Sequence, residues 1–181
     1  MLRGNIARLN DHIRTSLQRT KGIGQTFKPQ FTTFKLRQKV DQLIHDLSPI
    51  AELSHTKIDN QVPGEVDVYS ESRLLEQVIQ NLLSNAVKFT PQGTVIVGAR
   101  TEADGAVTCW VTDNGSGMAA EVLERVFDRF ETHGSAQQRG IGLGLPIVKE
   151  IIELHEGEIS VDSQLGNGST FKFRIPGPQT E

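Results

Sequence analysis

Apolar residues recur along this chain at two different spacings, and each change of spacing marks a new element. Leu2, Ile6, Leu9, Ile13 and Leu17 fall at steps of four, three, four and four. They form a narrow stripe on a helix over residues 2–20, and a stripe that narrow calls for a partner helix. Gly22 and Gly24 stop this helix, and QTFKPQF, with Pro29, reads as a linker over 25–35. Helical spacing resumes over Leu36–Leu53, where Leu36, Val40, Leu43, Ile44, Leu47 and Ile50 share a face. Short strands are predicted at Lys57–Val62 and Val66–Tyr69, separated by the turn-like Pro63-Gly64. A helix then starts at Ser70 or Glu71 and runs to about Phe89. Four strands follow, at Thr94–Thr101, Ala106–Asp113, Glu158–Ser163 and Ser169–Ile175. Between the two pairs lies a helix over Leu145–Glu156, with Pro146 in its first turn and Gly157 as its C-terminal cap. Strands in hairpin-like pairs with helices between them predict an α+β fold, with helices packed on one face of a mixed sheet. The expected domains are a helical stub over 1–24, the linker over 25–35 and one globular domain over 36–181.

Composition narrows the possibilities. The 181 residues suffice for one ordinary domain and an appendage. A charged fraction of 23% argues against wholesale disorder, and a net charge of −3 argues against a generic nucleic-acid binder. The single cysteine, Cys109, excludes an internal disulfide framework and a thiolate zinc cluster, and points to a cytoplasmic setting. No apolar run reaches transmembrane length, so this segment is not expected to contact membrane itself, even if a longer parent is tethered. The start MLRGNIARLN has no signal-peptide core and begins inside an apparent helix, as expected for a piece of a longer protein.

Three strings carry candidate chemistry. On the helix ending at Phe89, place Asn81 at zero degrees. Gln77, Asn85 and Lys88 then fall within about 40° of it, while Leu75, Val78, Ile79, Leu82, Ala86 and Phe89 lie mostly on the other side. Such a polar face is ordinarily a solvated one. It is equally able to bind a ligand, because carboxamide oxygens coordinate Mg²⁺ and a lysine neutralises phosphate. The second string, VTDNGSGM (111–118), ends a strand. It is either a hairpin turn or a carboxylate, Asp113, set beside glycines where it can read a planar donor such as an exocyclic amine. The third, RGIGLGLPIVKEIIELHEG (139–157), leads Gly140, Gly142 and Gly144 into a helix. It is either a hinge or a loop that offers backbone N–H groups and a helix N-terminus to phosphate. It has neither the Gly-Lys-Ser/Thr of a Walker A loop nor the leading strand of a dinucleotide-binding turn.

Together these strings resemble the ATP-binding domain of sensor histidine kinases, in the superfamily shared with gyrase B, Hsp90 and MutL. EQVIQNLLSNAVKFTPQG (76–93) is similar to the N box, and DNGSGM (113–118) to the first glycine box. VFDRFE (126–131) is similar to the F box, GIGLGL (140–145) to the second glycine box, and GNGSTFKFRIP (166–176) to the closing hairpin. The resemblance covers about 34–176. It implies the two-layer α/β sandwich called the Bergerat fold, with ATP and Mg²⁺ as cofactors. It also implies roles for single residues. Asn85 would coordinate Mg²⁺, supported by Asn81 and Lys88. Asp113 would accept from the adenine amino group, with Gly115 and Gly117 shaping that pocket and Thr170 near the base. Phe127 and Phe130 would anchor a lid, Gly140, Gly142 and Gly144 would fold it over the phosphates, and Leu145 would start the helix behind it. Arg139 would add a cation.

The implied activity is transfer of the γ-phosphoryl of ATP to a histidine on a dimeric phosphoacceptor helical domain, then to an aspartate of a response regulator receiver domain. Hydrolytic relatives carry a glutamate where this chain has Asn81, and a carboxamide is no useful base. Phosphoryl transfer mainly needs positioning and charge neutralisation. Glu76, the nearest acid on the helix, lies about 140° away from Asn81. The lid, ETHGSAQQR between Phe130 and Gly140, is several residues shorter than is usual in the family. His12 in DHIRTSL stands where an acceptor would, but no second helix fits before residue 34, so residues 1–20 are expected to be the tail of the second acceptor helix. The alternatives are a degenerate nucleotide-binding sensor module, suggested by the short lid, and an anti-sigma-factor serine kinase. Cys109 and Trp110 are expected in the core, and His155 against its helix's C-terminal dipole.

Overall fold

The computed structural model describes residues 29–129 and 144–178. The helix expected over 2–20, linker residues 25–28, and Phe130, Arg139, Gly140 and Gly142 lie outside the described residues. The chain divides into two compact units, Met1–Gln30 and Phe31–Glu181, and every described element belongs to the second.

The elements in chain order are β1 (Phe31–Lys35), α1 (Leu36–Leu53), β2 (Lys57–Asn60), β3 (Asp67–Glu71), α2 (Ser72–Phe89), β4 (Thr94–Thr101), β5 (Val107–Asp113), α3 (Ala120–Leu123), α4 (Gly144–Leu154), β6 (Glu158–Ser163) and β7 (Ser169–Ile175). A five-stranded mixed sheet runs in the order β2-β4-β5-β7-β6, with only β2 and β4 parallel. One face of it buries Val95, Val97 and Ala99 of β4, Cys109 and Val111 of β5, and Phe171, Phe173 and Ile175 of β7. The apolar stripes of α1, α2 and α4 cover that face, led by Val40, Val78, Ile79, Leu82, Ile151 and Ile152. This is the expected α+β two-layer arrangement.

Four expectations are corrected. Residues 31–35, read as linker, form β1, which pairs antiparallel with β3 in a separate two-stranded sheet. The Pro63-Gly64 turn does not close a hairpin, because β2 pairs with β4 and β3 with β1. Ile50, assigned to the inner face of α1, is 57% exposed, and Ala51 takes its place in the core. At the end of α4 the left-handed residue is Glu156, with φ of 55°, rather than Gly157. Gly157 closes the turn by donating to the Ile152 carbonyl at 2.9 Å. Cys109 is fully buried as expected, whereas Trp110 is half-buried on the opposite face of the sheet, its indole lying over Gly98.

Candidate functional site

Helix α2 supplies one wall. Glu71 caps it by accepting from the Leu74 N–H at 2.7 Å, and its apolar stripe fixes its rotation. That rotation leaves Asn81, Asn85 and Lys88 only half-buried. Among the described residues neither carboxamide makes a side-chain hydrogen bond. Lys88 lies with Nζ 4.9 Å from the centre of the Phe89 ring, and partial burial lowers its ammonium from the usual value. Glu76 is tied instead to Lys39 of α1 and to Ser72, away from this face. The N-terminus of α4 meets the two carboxamides: a Cβ on Gly144 would lie 3.4 Å from Asn81 Oδ1 and 3.9 Å from Asn85 Nδ2. The second and third strings of the sequence therefore converge on the first.

The second wall is the end of β5. Asp113 is 7% exposed. Burial pushes its carboxyl up from the usual carboxylate range, and the Gly115 N–H, the Thr90 hydroxyl and the Ser169 N–H partly offset this. The Gly115 N–H donates to Asp113 Oδ1 at 2.9 Å. The loop after Asp113 is stitched to its surroundings. Asn114 Oδ1 accepts from the Thr94 N–H at 2.7 Å, and the Ser116 carbonyl accepts from the Gly166 N–H at 2.7 Å. Gly117, with φ of 61°, packs its Cα against the Gln164 carbonyl, where a Cβ would collide. The β6–β7 hairpin thus closes one side of the pocket.

That hairpin corrects one assignment. Cross-strand register sets Ser169 opposite Asp113 and Thr170 opposite Thr112. Alternation along β7 sends Thr170 to the far face, where its hydroxyl meets that of Thr112 at 3.0 Å. The residue beside Asp113 is Ser169, whose hydroxyl meets Ser163 Oγ at 2.9 Å, while Ser163 accepts from the Met118 N–H at 2.8 Å. The signal was available, since Ser169 shares parity with the buried Phe171 and Phe173. Phe89 and Thr90, at the C-terminal end of α2, were also missed, and only a helix-end reading could have drawn them in. Leu145 is half-buried in the first turn of α4 and Phe127 stacks edge-on to Phe171.

The donor set suits a metal ion that arrives with its ligand. Among the described residues no group of three or more His, Cys, Asp or Glu could hold an ion alone. Two carboxamides without partners suit Mg²⁺, which keeps waters and substrate phosphates and needs few protein oxygens.

A buried carboxylate at the end of β5 thus sits beside the C-terminal end of α2, whose polar stripe meets the N-terminus of α4. The chain belongs to the family described as histidine kinase-, DNA gyrase B-, and HSP90-like ATPase, which residues 70–179 match. It is 35% identical over 171 residues to the histidine protein kinase DivJ of Caulobacter vibrioides, covering 93% of this chain and 29% of DivJ. It is 43% identical over 124 residues to the sensor protein KdpD of Clostridium acetobutylicum, covering 66% of this chain and 14% of KdpD. Among solved structures, full-length ShkA in complex with AMPPNP matches with a TM-score of 0.78 and 26% identity, over 98% of this chain and 36% of that one. The nucleotide-free catalytic domain of histidine kinase ThkA matches with a TM-score of 0.72 and 25% identity, over 81% of this chain and 95% of that domain. The chain thus spans well under half the length of DivJ and KdpD. Among the described residues no helix is long and apolar enough to cross a membrane.

Proposed function

We propose that this chain is the Mg·ATP-binding catalytic part of a sensor histidine kinase, which passes the γ-phosphoryl group to a histidine on a dimeric phosphoacceptor helical domain. A response regulator aspartate is the next acceptor. The observation that carries this reading is the meeting of the Asn81–Asn85 face with the N-terminus of α4, on a helix whose C-terminal end packs beside the buried Asp113. The AMPPNP bound by ShkA supports it.

Asp113 accepts from the exocyclic amine of adenine, and the β6–β7 hairpin confines the ring through Gly117 and Ser169. Asn85, supported by Asn81, would hold the Mg²⁺–phosphate group, and Lys88, now over the Phe89 ring, would neutralise phosphate oxygens. The first N–H groups of α4 add a positive dipole end. Mg²⁺, when bound, supplies charge neutralisation at the phosphates. Asn81 cannot activate water, so the γ-phosphoryl is held for an incoming imidazole. By the resemblance, Arg139, Gly140 and Gly142, which lie outside the described residues, would serve the phosphates.

Label from γ-³²P-ATP is expected on an acid-labile, alkali-stable phosphohistidine of the full-length protein, and is expected to vanish in Asn85→Ala. Label on serine, or none, contradicts the proposal. The degenerate-module and serine-kinase alternatives draw no support from relatives such as DivJ, which is named a histidine protein kinase.

A further inference from the structure

The C-terminal end of α2 holds an unexplained group. Thr90 is 1% exposed, and its main chain is fully used: the N–H donates to Val87 at 3.3 Å, and the carbonyl accepts from Thr56 Oγ1 at 2.9 Å and from the Gly93 N–H at 3.1 Å. Its hydroxyl has no partner, and it is the one such buried side-chain atom among the described residues. Buried polar groups are almost always satisfied, so an orphan calls for an explanation. The space around it shows where it is aimed. A Cβ on Gly115 would lie 2.2 Å from the Phe89 carbonyl, 2.5 Å from Thr90 Oγ1 and 2.9 Å from Asp113 Oδ1, so the Thr90 and Asp113 oxygens border, with that carbonyl, one small gap that glycine leaves open.

We propose that Thr90 is a positioning residue for Asp113, its hydroxyl closing a hydrogen bond to the carboxylate when a nucleotide's amine engages the other lone pairs. This rests on the nucleotide reading above and adds a residue to it. In the unliganded pocket the carboxylate is held by the Gly115 N–H at 2.9 Å, and the Thr90 hydroxyl lies near enough to act on its charge yet completes no hydrogen bond. A bound amine fixes the plane of the carboxylate, and the orphan hydroxyl then gains its acceptor. The gain exists only in the complex, so it appears as affinity. The hydroxyl also favours the ionised form, the only form that accepts from an amine through both oxygens. The groups that act on Asp113 are the Thr90 hydroxyl from the end of α2, the Gly115 amide from its own loop and the Ser169 amide from β7. Among the described residues no charged side chain joins them.

The test is the affinity of the whole chain for Mg·ADP against pH, for wild type, Thr90→Val and Thr90→Ser. Thr90→Val keeps the shape and is expected to bind about tenfold more weakly at neutral pH. Removing a donor to the charged form raises the carboxyl pKa, so its loss of affinity on acidification is expected to begin at a higher pH. Thr90→Ser should track wild type in both respects. Inosine diphosphate, which lacks the amine, should bind wild type and Thr90→Val equally. A Thr90→Val affinity and pH profile matching wild type, or a Thr90→Ser loss as large as that of Thr90→Val, overturns the proposal. Should Thr90→Val show no cooperative melt, Thr90→Ala against Thr90→Ser decides by the same readings. Wild type that binds no ADP at any pH overturns the nucleotide reading and this proposal with it.

Discussion

Asp113 combines two demands that pull in opposite directions. Its carboxyl is buried and its pKa raised, so the folded state takes up this proton at higher pH than the unfolded chain does. The charge therefore opposes folding above the unfolded pKa, and the penalty is relieved as pH falls through the folded pKa. Asp113→Asn keeps the acceptor for the Gly115 N–H and removes the charge. It is expected to melt no lower than wild type at neutral pH while losing adenine-nucleotide affinity about 10- to 100-fold, because a charge-assisted bond is lost. A paired melting curve and titration check this, and a variant that loses stability and affinity together would contradict it. Cys109 offers a control on the core. Burial pushes its thiol up to about 12, so a thiol reagent is expected to label it only in denaturant. At this scale the sequence was most legible where chemistry is unusual, as with a carboxylate among glycines or paired asparagines on a helix. It was least legible where a one-residue step decides the face, which is why Ser169 rather than Thr170 lies beside Asp113.

Helix α2 separates stability from function by face. Truncating Ile79, fully buried against the sheet, is expected to cost about 2–5 kcal/mol. Asn85→Ala, on the half-exposed face, should leave the melting temperature nearly unchanged and abolish the Mg²⁺ dependence of ATP binding. Denaturant titration and calorimetry with and without Mg²⁺ separate the two, and an Asn85→Ala protein that still responds to Mg²⁺ would move the metal ligand elsewhere. The hairpin wall is tested by Gly117→Ala. Its Cβ would strike the Gln164 carbonyl from a left-handed backbone, so roughly 1–3 kcal/mol of stability and most of the adenine affinity should go together. Strands β6 and β7 were legible to the residue because alternation leaves one way to face them, and β4 because a short apolar run is bounded by turn residues. Strand β1 was not, since Pro29 and the mostly exposed FTTFK carry no alternating core signal, and its partner β3 lies far along the chain.

The whole molecule follows from a mixed sheet covered on one face, and that much was written in the order of strands and helices. The parallel pairing of β2 with β4 was hidden, because it depends on α2 crossing between them rather than on any local turn. The candidate site is a product of that crossing: α2 brings its C-terminal end, Phe89 and Thr90, against the loop after β5, and α4 brings its N-terminus to Asn81 and Asn85 on the same helix. No single string implied this convergence, although five strings in order did. The proposed function stands on a nucleotide site built on Asp113 and completed by a metal at Asn85. Calorimetric titration of the chain with ATP and with ADP, each with and without Mg²⁺, tests it most directly. The account predicts saturable binding of both nucleotides, tighter with Mg²⁺ and lost in Asp113→Asn. Affinity that is unchanged by Asp113→Asn, or no binding of either nucleotide, would contradict it.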